Sequence, residues 1–156
     1  IARYIPLAQN ISARTVWTTT STLVQAGLPI DLPHVFLEVV VKSNREGYLF
    51  IPRRNNAVDL ATFFKSRRSK EEINMLINSL TGLMKKLHHL GTFSGELPEE
   101  AFAVVEEKDN CPSVYLKNIE TFTIKKEIIT RHRKRDMALL NALIKKYCPT
   151  LILDSN

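Results

Sequence analysis

Apolar and polar positions alternate along this chain in patterns that assign most of its length. The clearest lies between Ser69 and Gly91, where Ile73, Leu76, Ile77, Leu80, Leu83, Met84 and Leu87 recur at steps of three and four. That spacing lines one face of an α-helix and predicts a buried core helix. Ser69 and Glu72 form a capping-box pair at its start, hydroxyl and carboxylate each satisfying an amide that a helix leaves without a partner. A second helix is predicted from Asn10 or Ser12 to Gln25 or Ala26, stopped by Gly27 and Pro29, although Thr18-Thr19-Thr20 has poor helix propensity. Residues 35–41 and 47–52 are dense apolar runs that read as strands, and the polar link 42–47 reads as a hairpin turn. Residues 1–5 read as a short strand ended by Pro6, and residues 58–65 as a short helix. Two further strands are expected at 102–105 and 113–116 around a turn at 109–112, with a third extended piece over 121–128. A last helix is expected from about Lys134, carrying Met137, Leu140, Ile144 and Tyr147 on one face and stopped by Pro149. Repeats and low-complexity linkers are absent, and the pattern predicts one α+β domain.

Composition narrows the class. A chain of 156 residues with 44% hydrophobic content can bury a core of its own. No apolar run approaches the roughly 20 residues that span a bilayer. The chain opens Ile-Ala-Arg rather than on Met, so it is expected to be a fragment, with any targeting signal lying upstream. Cys111 and Cys148 lack metal-site spacing and suggest no disulfide framework, which makes a reducing, cytosolic setting the default.

The net charge of +6 is unevenly placed. Arg53, Arg54, Lys65, Arg67, Arg68 and Lys70 form one basic run, and Lys125, Lys126, Arg131, Arg133, Lys134 and Arg135 another. Between them lie Glu96, Glu99, Glu100, Glu106, Glu107 and Asp109. Solvated surface charge accounts for such runs most simply. The functional reading is an acidic partner, for which Arg53, Arg54, Arg67, Arg68, Arg131, Arg133, Lys134 and Arg135 are the candidate residues. Few aromatics interleave with these runs and no nucleic-acid motif is present, so nucleic acid is disfavoured.

Three stretches carry chemistry by their order: Leu87-His88-His89-Leu90-Gly91, then Ser94-Gly95-Glu96-Leu97, then Val114-Tyr115-Leu116-Lys117-Asn118. Together they resemble the helix end, catalytic loop and metal-binding strand of a kinase-like domain. Ser12-Ala13-Arg14, Trp17, Leu23, Ala26-Gly27-Leu28-Pro29, Leu87-His88-x-x-Gly91 and Arg133-Lys134-Arg135-Asp136-Met137-Ala138-x-Leu140 make the chain similar to the lipopolysaccharide core heptose kinase and Kdo kinase family. The resemblance implies a protein-kinase-like fold from its third strand onward, mostly the helical C-terminal lobe plus part of the N-terminal sheet. On that reading residues 1–156 are one N-terminally truncated kinase-like domain, with 1–52 a remnant of the N-lobe and 53–156 the C-lobe.

The resemblance also implies where the chemistry would sit, and there the chain departs from the pattern. Phosphoryl transfer relies on positioning and charge neutralisation. The phosphate-gripping Lys falls on Ala2, beside Arg3, and its Glu partner on Val16. A working loop would read His-Gly-Asp-Leu, against Ser94, Gly95, Glu96 and Leu97 here. The metal-holding Asn falls on Ala101 and the Asp of the metal-binding strand on Asn118, a much poorer Mg²⁺ ligand. Glu96 is thus the degenerate catalytic position, and Arg3 and Asn118 the degenerate cofactor positions. No metal or nucleotide is expected, ATP and Mg²⁺ entering only if the chain is an atypical kinase.

His88 and His89 point about 100° apart on a helix and are expected to be structural at its end. His34 and His132 read as surface or turn residues, Cys111 as a turn residue without a base, and Trp17 as a core anchor between helix and sheet. Asp136 reads as a cap or as the partner of a nearby basic residue.

The expected function is a kinase-like domain with degenerate catalytic and metal-binding residues, a bacterial pseudokinase with a binding or regulatory role. It would be cytoplasmic and peripheral to the inner membrane, meeting an anionic lipid or glycolipid surface or an acidic protein. The alternatives are an atypical active sugar or lipopolysaccharide kinase and a protein–protein interaction scaffold.

Overall fold

The first helix accommodates a Thr-rich segment whose hydroxyls turn back onto the helix. In the computed structural model Thr18, Thr20, Ser21 and Thr22 donate to the carbonyls of Arg14, Val16, Trp17 and Thr18, which satisfies these side chains without breaking the ladder. The structure describes residues 2–6, 11–41, 44–52, 54–106, 111–117, 119–120, 122–125 and 129–149, with the backbone alone at 2–6, 41, 44 and 45. The fold is α+β. Its chain divides into two compact units, residues 1–55 with 116–120 and residues 56–115 with 121–156.

In the first unit, β1 (Ala2–Pro6), β2 (Val35–Val41) and β3 (Asn44–Pro52) make an antiparallel sheet in the order β1-β3-β2. Helix α1 (Ala13–Gln25) packs on it through Ala13, Val16, Thr20 and Leu23. Glu38 on β2 accepts from Ser12 Oγ at 2.6 Å and from Arg14 N at 3.2 Å, so an acid from the sheet sits at the positive end of the helix. Trp17 anchors helix to sheet as expected: its Nε1 donates to Pro33 O at 3.2 Å and its ring lies 5.7 Å from that of Phe36. The helix ends in a Schellman motif, with Gly27 N on Val24 O, Leu28 N on Leu23 O, and Gly27 at φ 77°. After that turn, Ile30 bridges Leu116 in parallel.

In the second unit, β4 (Ala57–Asp59), β6 (Phe102–Glu106) and β7 (Pro112–Leu116) form one sheet, and β5 (Thr92–Phe93) pairs with β8 (Thr123–Ile124). Helices α2 (Leu60–Lys65), α3 (Lys70–His89) and α4 (Thr130–Tyr147) complete it. The expected capping box is present: Ser69 Oγ accepts from Glu72 N at 3.1 Å and Glu72 Oε2 from Ser69 N at 2.8 Å. Leu76, Ile77, Leu80, Leu83, Met84 and Leu87 are buried, so the helical period marks the core face as expected.

Several boundaries differ from expectation. Strand β3 begins at Asn44, opposite Val41, so much of the polar 42–47 link belongs to the strand. Backbone pairing continued past the apolar run, since exposed ladder ends tolerate polar residues. The helix expected over 58–65 begins at Leu60, because Val58 and Asp59 pair with Val104 and Ala103 and Asp59 caps the helix through Thr62 N at 2.6 Å. Helix α4 starts at Thr130, ahead of its apolar stripe. A short 3₁₀ turn (Glu99–Ala101) precedes β6. The turn expected at 109–112 and the extended piece over 121–128 fall partly outside the described residues.

Candidate functional site

Asp136 occupies the same stripe of α4 as Leu140 and Ile144, and all three are buried. An acid in an apolar stripe must find partners inside the protein. Its Oδ2 accepts from Ser94 N at 3.0 Å and lies 3.1 Å from His88 Nε2, while Oδ1 accepts from Gly95 N at 3.0 Å. A carboxylate that already accepts from two amides takes the imidazole N–H as its third donor. The end of α3, the loop at 94–95 and the body of α4 therefore converge on one side chain.

The loop conformation follows from local backbone chemistry. Gly91 ends α3 at φ 75°, the left-handed conformation glycine adopts at low cost. Its carbonyl accepts from Lys125 N at 2.8 Å, so the backbone of 125 lies directly against it. Gly95 at φ 71° turns the chain so that successive amides at 94 and 95 both face Asp136.

Beyond Gly95 the loop is held at its far end too. Glu99 accepts from Lys146 Nζ at 2.7 Å and from the Tyr147 hydroxyl, and the Tyr147 ring stacks on Phe64 at 5.2 Å. Hydrogen bonds from Lys146 and then Tyr147 hold the Glu99 carboxyl below its ordinary value of 4.5. A carboxyl lowered by folding adds stability above its unfolded value, and that increment disappears as pH falls through the lowered value. The melting-temperature gap between wild type and Glu99→Gln is therefore expected to be widest above about pH 5 and to narrow in stronger acid. A pH series of paired melts checks this, and a gap that widens in acid contradicts it.

The sequence candidates distribute unevenly. Glu96 is exposed beside the clamped amides, and Ala101, where the metal-holding Asn was expected, is wholly buried. The acids at 96, 99 and 100 do not form a free cluster, since Glu99 is paired. Val16 is a core residue of α1 at 5% exposure. Arg3 lies in β1 opposite Ile51, its side chain outside the described residues, as are Arg53 and Asn118 altogether. Among the described residues no group of three His, Cys, Asp or Glu side chains gathers.

The basic candidates separate into committed and uncommitted groups. Arg54 pairs with Asp31 at 3.1 Å, and Arg68 pairs with Glu72 and Glu106 while lying 4.5 Å from the Phe63 ring centroid. Arg67, Arg131, Arg133, Lys134 and Arg135 are exposed.

Asp136 partners a basic residue as expected, but that residue is His88 of α3, and in place of a helix cap it accepts from two loop amides. The signal for this was its register with Leu140 and Ile144, where a cap or a surface partner has no place. His132 is not a plain surface residue, because its ring stacks on Phe93 at 4.2 Å and 2°. His34 is exposed, as expected. His88 and His89 part as helix geometry requires, one buried and the other exposed.

Compared with protein-family models and with curated proteins, the chain finds no match. Among the described residues no helix is long and apolar enough to cross a membrane.

Proposed function

We propose that this chain is a kinase-like domain, resembling the lipopolysaccharide core heptose and Kdo kinases, that has lost phosphoryl transfer and serves a binding or regulatory role. The observation that carries the reading is the convergence on Asp136. Leu87-His88-x-x-Gly91, Ser94-Gly95-Glu96-Leu97 and the Asp136 motif are three of the stretches on which the resemblance rests, and His88, Ser94 and Gly95 all bond to Asp136. Residues separated by more than forty positions meet there as one loop support. The order of elements, from strand and helix through hairpin and long helix to the final helix, also matches the kinase-like order.

The loss of chemistry is supported at the same positions. Val16 is apolar and buried where an acid would hold the phosphate-gripping Lys, and Ala101 offers no ligand atom. Glu96 keeps a carboxylate but carries it one methylene further out, and a displacement of about 1 Å can cost roughly 100-fold in rate. A supported loop without its reacting groups is a scaffold for recognition.

A thermal-shift titration with ATP, alone and with Mg²⁺ or Mn²⁺, tests this directly. The expected result is an unchanged melting temperature under all three conditions. Saturation at about 100 times Kd would add about 2.7 kcal/mol, on the order of 5–10 °C for a chain of this size. A metal-dependent rise of that order overturns the reading in favour of an atypical kinase using Glu96 as base and Asn118 for metal.

A further inference from the structure

We infer that the start of α4 and the neighbouring β8 strand form a docking face for an anionic lipid bilayer, with basic side chains on the headgroups and two isoleucines at the acyl boundary. The inference rests on the proposed function only in treating the basic positions as a partner surface.

Phe93 assembles the face. Its ring stacks on His132 in the first turn of α4, and Lys125 Nζ, next to β8, lies 5.3 Å from the same ring centroid. The Lys125 N–Gly91 O hydrogen bond fixes the β8 side of this arrangement. One aromatic ring thus brings together two segments that the chain separates by residues 126–128.

Positive charge dominates this face. Lys125, Arg131, Lys134 and Arg135 are exposed, and the one acid of 122–135 in the sequence, Glu127, lies outside the described residues. The first turn of α4 also lacks an acidic residue and a side-chain cap. Cations at the positive end of a helix oppose its dipole, so this clustering does not serve the helix itself. An anionic surface would relieve both the mutual repulsion and the dipole conflict. Arg54 and Arg68, by contrast, already have carboxylate partners within their own units.

Apolar exposure separates a bilayer from an acidic protein as the favoured partner. Ile129, at the N-cap of α4, is 58% exposed, and Ile124 on β8 is 38% exposed. Aliphatic side chains standing among lysines and arginines match the chemistry of the headgroup–acyl boundary, where surface-bound helices combine cationic and apolar contacts.

The test is co-sedimentation of the 156-residue chain with phosphatidylcholine vesicles, with and without phosphatidylserine. Binding is expected only with phosphatidylserine and is expected to weaken as salt screens the contact. At about fivefold per charge, the triple variant Arg131→Gln, Lys134→Gln, Arg135→Gln should bind about 100-fold more weakly. The pair Ile124→Ser and Ile129→Ser should lose about tenfold while keeping the salt dependence. The pair Arg54→Gln and Arg67→Gln should bind as wild type. All these positions are exposed, and matching melting curves establish that each variant is folded. Absence of phosphatidylserine-dependent binding, undiminished binding by the triple variant, or loss in the Arg54/Arg67 pair overturns the inference. Vesicle binding together with a Mg-ATP shift overturns the proposed function alone, whereas neither binding overturns this inference alone.

Discussion

Asp136→Ala is expected to destabilise the chain by roughly 3–5 kcal/mol, enough to lower its melting temperature by on the order of 10 °C. The substitution removes the acceptor for His88 Nε2, Ser94 N and Gly95 N together. His88 is 6% exposed and has little access to replacement water, so its loss of a partner carries most of the effect. The amides at 94 and 95 are half-buried and can recover part of theirs from solvent. Asp136→Asn keeps the shape and one acceptor oxygen but turns an NH₂ toward a donor, so about half of the loss is expected.

Hydrogen exchange separates a loop support from a general packing defect. Amides 94 and 95 should exchange much faster in Asp136→Ala, while those in the middle of α3, around the wholly buried Leu76 and Leu80, keep their relative order of protection. A variant melting within about 2 °C of wild type, with unchanged protection at 94 and 95, would sink the assignment.

Gly91→Ala is the second large effect, expected at about 3 kcal/mol. Two causes add. At φ 75° any Cβ is strained, by about 1–2 kcal/mol. The new methyl would also overlap the Lys125 carbonyl oxygen and lie 3.3 Å from its carbon, atoms of backbone that a rotamer change cannot clear. The strand must retreat, which weakens the Gly91 O–Lys125 N bond of 2.8 Å and the short β5–β8 pairing beside it. Gly27→Ala provides the control, because its φ of 77° is similar while nothing lies within 4 Å of the added carbon. It should cost only about 1 kcal/mol. Equal losses for the two variants, measured by denaturant unfolding, would show that the close approach at Gly91 has no energetic weight.

The elements that were legible in the sequence are those whose stability is local. Helix α3 has its capping box, its apolar stripe and its glycine stop within one continuous stretch, and the structure follows them. Helix α1 was legible by its start near Asn10 or Ser12 and its Gly27 stop, although only the structure shows Ser12 as the cap and Glu38 reaching back to the first turn. Where partners lie far apart in the chain, the pattern misled. Val58 and Asp59 have a helical neighbourhood, yet pairing with β6 draws them into a strand. The first turn of α4 is polar and unpatterned, and its helical start accompanies a stack of His132 on Phe93 from another element.

The candidate site divides in the same way. On the proposed reading, the sequence by itself determined the departures from the kinase-like pattern at Val16, Glu96 and Ala101, because residue identity does not depend on the fold. It also determined that basic charge is clustered, since that is a property of order along the chain. Only the tertiary structure decided which of those charges are committed, through Asp31, Glu72 and Glu106, and which remain on the α4 face. It alone made Asp136 the support of the loop, because a carboxylate's role is set by the donors that surround it, and these come from His88, Ser94 and Gly95, residues that only folding brings within hydrogen-bonding distance.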